Sequence, residues 1–166
     1  MHPGLMRLGG SLLLGLGLMG AACASAAPAP TRVGIPVWAG REFRRHALHD
    51  RFQFYREVEP AFYRGDFDGD GRVDCALLVR EKSSDKVGVV ILHRRGGTPF
   101  ILGAGRAFGN GGDDWAWLGE WRIIPGETVP GGKGGGRDAL LVEKPESAGG
   151  IVYWDGTGYE WLQHGD

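Results

Sequence analysis

Between Phe52 and Gln163 the apolar residues fall in short runs, such as Cys75-Ala76-Leu77-Leu78-Val79 and Val87-Gly88-Val89-Val90-Ile91-Leu92, each closed by glycine, proline or charged residues. An amphipathic helix needs apolar positions at i, i+3, i+4 and i+7 over roughly eleven or more residues, whereas a strand is complete in about four to eight. No long segment meets the helical pattern. The chain is therefore expected to be mainly β, a single domain of antiparallel strands arranged as a meander or a sandwich-like sheet. One short N-terminal helix fits within the polar, basic and aromatic stretch 41–51.

Strands are expected near 61–64, 75–80, 87–94, 99–102, 115–124, 139–144, 151–154 and 159–163. The connections carry turn chemistry. Lys82-Ser83-Ser84-Asp85-Lys86 and Arg95-Gly96-Gly97-Thr98 read as hairpin loops, and Asp155-Gly156-Thr157-Gly158 holds the Asp-Gly pair favoured where φ must be positive. That last turn joins Ile151-Val152-Tyr153-Trp154 to Tyr159-Glu160-Trp161-Leu162, the most secure hairpin of the chain. By contrast, 129–137 carries five glycines and too little side chain to pack, and is expected to be a floppy surface loop.

Residues 1–26 read as an export signal: Arg7 supplies the positive start, 11–22 an apolar core, and Ala24-Ser25-Ala26 a small-x-small cleavage pattern. The apolar core is well short of the ~18–20 residues a spanning helix requires, so no transmembrane segment is expected. Cys23 offers an alternative, a lipid anchor in the envelope, although Gly20 stands where lipoprotein signals carry leucine. Localisation is accordingly periplasmic or secreted. Pro28, Pro30 and Pro36 make 27–40 an extended tether, and the folded domain is placed at 41–166. The remaining ~140 residues suffice for one core.

With 19 Lys and Arg against 20 Asp and Glu, scattered among one another, the chain lacks the basic footprint of a nucleic-acid or anionic-membrane binder. A monomer is expected. After signal cleavage Cys75 is the only cysteine, so no internal disulfide can form, and its apolar surroundings make it a buried strand residue rather than a nucleophile.

Asp66-Phe67-Asp68-Gly69-Asp70-Gly71-Arg72-Val73-Asp74 crowds four carboxylates into a glycine-hinged loop. Carboxylates so close repel one another unless a cation sits between them, and calcium, with about 6–8 oxygen ligands, suits flexible loops. Asp66, Asp68 and Asp70 occupy positions 1, 3 and 5 of a calcium loop. Gly71 sits at the bend, Arg72 would give a backbone carbonyl, and Asp74 at position 9 would act directly or through water. Position 12, where a helical calcium hand has its Glu, is Leu77, which disfavours a helix-loop-helix sensor.

The stretch from Arg64 through Asp66, Asp68, Asp70 and Asp74 to Val79 resembles the calcium loop of FG-GAP and VCBS-type repeats, in which a strand ends in a G-D-F-D-G-D-G-x-x-D turn and an apolar strand follows. The resemblance implies calcium contact by Asp66, Asp68, Asp70, the Arg72 carbonyl and Asp74, within a β-hairpin of an adhesive or carbohydrate-associated surface protein. It spans sixteen residues with no second copy, so a complete propeller is not expected. The remainder is similar to small exported bacterial proteins, which implies a secreted single domain and no particular activity.

Other candidates carry less. Gly103-Ala104-Gly105-Arg106-Ala107-Phe108-Gly109 lacks both nucleotide-loop spacings, and no serine stands in a nucleophile elbow. His46 and His49 are three residues apart, a spacing frequent by chance. Asp113 and Asp114 beside Trp115 and Trp117, or Glu143 with Glu146, could serve a glycan or peptidoglycan hydrolase as an acid pair roughly 5–10 Å apart. Trp115, Trp117 and Trp121 more simply form the inward face of one strand. The leading expectation is an exported calcium-binding structural or binding module without a catalytic site. The alternatives are that hydrolase, or an inhibitor or adhesion module acting through a β-edge or the 109–114 loop.

Overall fold

The computed structural model describes residues 34–165. The expected export signal, Cys23 and the first part of the expected tether lie outside them. The protein is mainly β, with nine strands in two antiparallel sheets and two short helices among the described residues. None of these helices is long and apolar enough to cross a membrane.

The first helix, α1 (Val37–Arg45), starts inside the stretch that the prolines mark as extended. Pro36 stands at its N-cap with φ −53, compatible with helix entry, and Arg44 and Arg45 complement the dipole in its last turn. Ala39 and Phe43, one helical step of four apart, are its buried positions. After a left-handed Ala47 the chain forms α2 (Leu48–Arg51) and runs into β1 (Phe52–Phe54).

The first sheet holds β1, β2 (Phe62–Gly65), β3 (Asp74–Glu81), β4 (Val87–Leu92) and β5 (Phe100–Gly103). β1 and β2 share one edge of β3, pairing with Val79 to Glu81 and with Asp74 to Leu77 respectively. The second sheet is a plain meander of β6 (Glu120–Pro125), β7 (Asp138–Glu143), β8 (Gly149–Trp154) and β9 (Tyr159–His164). The sheets pack face to face. Ala76, Leu78, Val89 and Ile91 from the first meet Leu140, Val142, Val152 and Trp154 from the second. Alternate residues of β3, Cys75, Leu77 and Val79, face the other way and are covered by Phe43 and Leu48 of the helices. β3 is thus apolar on both faces, which is why it reads as an unbroken apolar run.

The two meanders share a register. An aspartate opens the second strand of each, opposite the last residue of the first strand: Asp74 faces Gly65, and Asp138 faces Pro125. Five residues on, Val79 pairs with Gly88 and Glu143 with Gly149, and fifteen further on those glycines face Gly103 and His164. The strand framework recurs; the aspartate-rich loop does not.

Two expectations need correction, and one strand, β1, was not expected. The strand expected over 115–124 begins only at Glu120, and Trp115 to Leu118 form a turn in which Leu118 N–H donates to the Trp115 carbonyl. β1, three residues long, is an edge segment without a readable period. The glycine-rich 129–137 loop is a packed series of turns: Val129 is 1% exposed, and Gly126 and Gly134 meet so closely that a Cβ on either would collide with the other's backbone. Glycine there serves close approach of backbones.

The β8–β9 hairpin forms as expected, with Trp154 paired to Tyr159. Asp155 Oδ1 accepts from Thr157 N–H (2.7 Å), Gly158 N–H (2.8 Å) and the Thr157 hydroxyl (2.9 Å). Those bonds, the backbone ones first, hold the Asp155 carboxyl below its ordinary value. A depressed acid stabilises the fold above its unfolded pKa and loses that contribution as pH falls through the folded one. Asp155→Ala should therefore melt at a lower temperature than the parent near neutral pH, with the two melting curves converging once pH drops below about 4.

Candidate metal centre

The aspartate-rich loop connects β2 to β3 and folds on its own carboxylates. Asp66 Oδ1 accepts from Gly69 N–H and Oδ2 from Gly71 N–H, both at 2.9 Å. Asp68 Oδ1 accepts from Asp70 N–H (3.2 Å), and Asp70 Oδ1 from Arg72 N–H (2.9 Å). These are side-chain-closed turns, and Gly69 and Gly71 supply the positive φ values of 76° and 80° they require. As a result Asp66, Asp68 and Asp70 each bring an oxygen within 4.8 Å of the others.

Asp74 lies elsewhere. It is fully buried, its Oδ2 accepts from Phe67 N–H (3.1 Å) and its Oδ1 from Arg94 N–H (2.7 Å). Burial pushes its carboxyl up to about 7, the charge of Asp68 adds to the rise, and the two backbone donors pull against it. Asp74 groups with Asp68 and His93 rather than with Asp66 and Asp70. Arg72, expected to offer its carbonyl, has its N–H on Asp70 and its side chain in a separate cleft.

Asp68 belongs to both groups. Its side chain is fully buried, and Oδ2 sits 3.2 Å from His93 Nδ1 and 3.0 Å from Arg95 Nε. Neither N–H is aligned well enough to hydrogen-bond it. The charge of Asp68 is thus balanced by Arg95, itself half exposed, while one buried oxygen keeps its lone pairs unused. His93 Nε2 lies 2.8 Å from the Tyr159 hydroxyl. Its imidazole is held below the ordinary value by burial, against the upward pull of Asp68.

The second sheet holds this loop from behind. Asp138 Oδ2 accepts from Asp66 N–H (2.8 Å), Asp138 N–H donates to the Asp66 carbonyl (2.9 Å), and Arg137 Nε donates to the Asp68 carbonyl (3.3 Å). His93, Arg95, Asp138 and Tyr159 carry no local motif. His93 follows the Cys75–Leu92 pair of the β3–β4 ladder, so only that register delivers it to Asp74.

An ion bonded at about 2.3–2.6 Å keeps opposite ligands about 5 Å apart, so oxygens within 4.8 Å of one another fit one calcium ion. The donors of Asp66, Asp68 and Asp70 are all hard oxygens, the set that suits calcium or magnesium rather than a soft metal. In the mixed set of Asp68, Asp74 and His93, the Asp74 oxygens accept from Phe67 N–H and Arg94 N–H, and His93 Nε2 meets the Tyr159 hydroxyl.

The remaining candidates take structural places. Asp113 pairs with Lys86, Asp114 Oδ1 accepts from Val87 N–H and Ala116 N–H, and Glu143 pairs with Arg122 at 2.6 Å. Trp117 and Trp161 line a shallow groove of about 280 Å³ with Asn110, Lys144 and Gln163, and no carboxylate faces it. Cys75 is buried, and burial pushes its thiol up to about 12, the state of an inert packing residue. No protein-family model, curated protein or solved structure matches the chain.

Proposed function

We propose that this chain is an exported β-sandwich module that binds one calcium ion in its 66–74 loop, the ion acting as a structural staple. Asp66, Asp68 and Asp70 would hold it, with the Arg72 carbonyl completing the loop side, while Asp74 positions the loop by gripping Phe67 N–H and Arg94 N–H. The observation that carries the reading is the convergence of Asp66, Asp68 and Asp70, each with an oxygen within 4.8 Å of the others, while among the described residues the one arginine paired with them is Arg95 on Asp68. Carboxylates so close repel one another, a cost that a cation between them recovers.

Because Asp66 and Asp68 are tied to the second sheet through Asp138 and Arg137, ligation there would lock one sheet to the other. A ligand that binds only the folded form stabilises it by about 2.7 kcal/mol at a hundredfold excess over Kd. Titration of the chelator-stripped protein with calcium is expected to give a saturable single-site heat and a higher melting temperature. Asp70→Ala, which removes an exposed ligand and one Arg72 turn bond, should weaken calcium binding by about tenfold or more. Asp155→Ala should leave it unchanged. Equal loss in both variants, or no heat with the parent, would remove the assignment.

A further inference from the structure

On the helix side of the first sheet, Trp38 of α1, Arg64 of β2, Arg72 and Val73 of the loop, and Arg94 after β4 line an open cleft of about 540 Å³. Three guanidinium side chains face this space and no acid lines it. Some arginines elsewhere meet acids: Arg51 is 3.1 Å from Glu81, Arg80 is 2.7 Å from Glu57, and Arg95 is 3.0 Å from Asp68. Among the described residues Arg64, Arg72 and Arg94 make no ion pair. The Arg94 guanidinium carbon lies 5.0 Å over the Trp38 ring centroid, a cation–π contact that uses none of its N–H groups.

A concave site lined by one sign of charge concentrates counter-ions, and converging guanidinium forks match the oxygens of a phosphate group. Trp38 and Val73, which is 45% exposed, add an apolar wall suited to the organic part of an ester. We propose that this cleft is a binding site for a phosphate monoester, with Arg64, Arg72 and Arg94 as its oxyanion ligands. The phosphate could belong to a free metabolite or to a lipid headgroup, since both present the same dianion. Arg72 and Val73 belong to the aspartate-rich loop, so the cleft shares that segment, yet none of the loop's carboxylates lines it.

The test uses the full chain in chelator, so that phosphate meets only protein groups. Glycerol 1-phosphate is titrated by calorimetry, and in parallel the protein is floated with phosphatidylcholine vesicles with and without phosphatidic acid. Charge-assisted bonds of this kind are worth about 1.5–3 kcal/mol, so Arg94→Gln and Arg64→Gln should each weaken binding by about tenfold or more. Arg106→Gln, distant in the β5 turn, should leave it unchanged, and added salt should weaken it throughout. Binding of the soluble ester without vesicle retention identifies a free metabolite; retention on phosphatidic acid vesicles alone identifies a headgroup. The proposal is overturned if neither probe binds, or if Arg106→Gln costs as much as Arg94→Gln. It also fails if Arg64→Gln and Arg94→Gln both bind like the parent while melting like it.

Discussion

Trp115→Ala is expected to destabilise the protein by about 3–5 kcal/mol, a large part of the roughly 5–15 kcal/mol that holds a domain of this size together. Trp115 is fully buried in the inter-sheet core, with its ring 6.3 Å from Phe108, 6.0 Å from Trp117 and 5.9 Å from Trp161. Gly103 and Gly111 are shaped around it: a Cβ on Gly103 would stand 2.9 Å from its Cδ1, and one on Gly111 2.8 Å from its Nε1. Glycines with no side chain to swing inward cannot fill the space left by the indole, so the cavity term persists. One effect opposes this. The indole Nε1–H is buried without a partner, and removing it relieves about 1–3 kcal/mol of desolvation. Trp115→Phe separates the two, because it keeps much of the ring and drops the orphan donor; it should cost clearly less than Trp115→Ala in urea unfolding. Equal losses in the two variants would mean that packing around the ring is not what makes this residue matter.

The same tryptophan marks where local pattern and tertiary structure part. Trp115 and Trp117 alternate as strand residues do, and alternation reports burial on one side, not backbone conformation. An indole is long enough to reach the core from a turn, and here it does, with Trp115 N–H bound to the Val87 carbonyl at the entrance of β4. The strands themselves were legible wherever an apolar run was closed by turn residues, as at β3, β4, β7 and β8. The packed 129–137 loop was not, because glycine signals equally a chain free to move and a backbone that another backbone must touch, as Gly126 and Gly134 do. The recurrence of the meander is hidden in the sequence for a related reason. Asp74 and Asp138 open equivalent strands, but their preceding loops share neither length nor composition.

For the candidate metal centre, local spacing identified the acids and only tertiary pairing divided their roles. Asp66, Asp68 and Asp70 converge because each closes a turn with the residues next to it, information contained in the loop itself. Asp74 sits at the expected loop position and in addition accepts from Arg94 N–H, which the β3–β4 ladder brings to it from twenty residues away. His93 and Arg95 reach Asp68 by the same ladder.

That division makes Asp74→Ala the variant with the largest expected effect in the loop, and one opposite in kind to Asp70→Ala. Removing the Asp74 carboxylate leaves Phe67 N–H without an acceptor in a buried place and Arg94 N–H without one in a half-buried place. Each abandoned donor costs about 1–3 kcal/mol, so the loss is about 2–6 kcal/mol before any offset. An offset exists, because the variant also removes a desolvated carboxyl that shares its surroundings with Asp68. Relief of burial, the larger cause of the raised Asp74 value, is greatest above pH 7, where the carboxyl is held ionised, and smallest near pH 4, where the acid is largely neutral in the folded and unfolded chain alike; in unfolding near pH 4 the two stranded donors outweigh it. Asp74→Ala should therefore lower the stability of the chelator-treated protein by about 2–4 kcal/mol in denaturant unfolding near pH 4. Asp70→Ala should change it by less than about 1 kcal/mol, because Asp70 is exposed and its one bonded donor, Arg72 N–H, can turn to water. With calcium present the order of defects should reverse for binding: the Asp70 variant folds but takes up the ion poorly, and the Asp74 variant, where it remains folded, regains stability on adding calcium. If chelated Asp74→Ala melts like the parent, Asp74 is not the brace of this loop, and its carboxylate belongs with Asp66, Asp68 and Asp70 as a direct ligand.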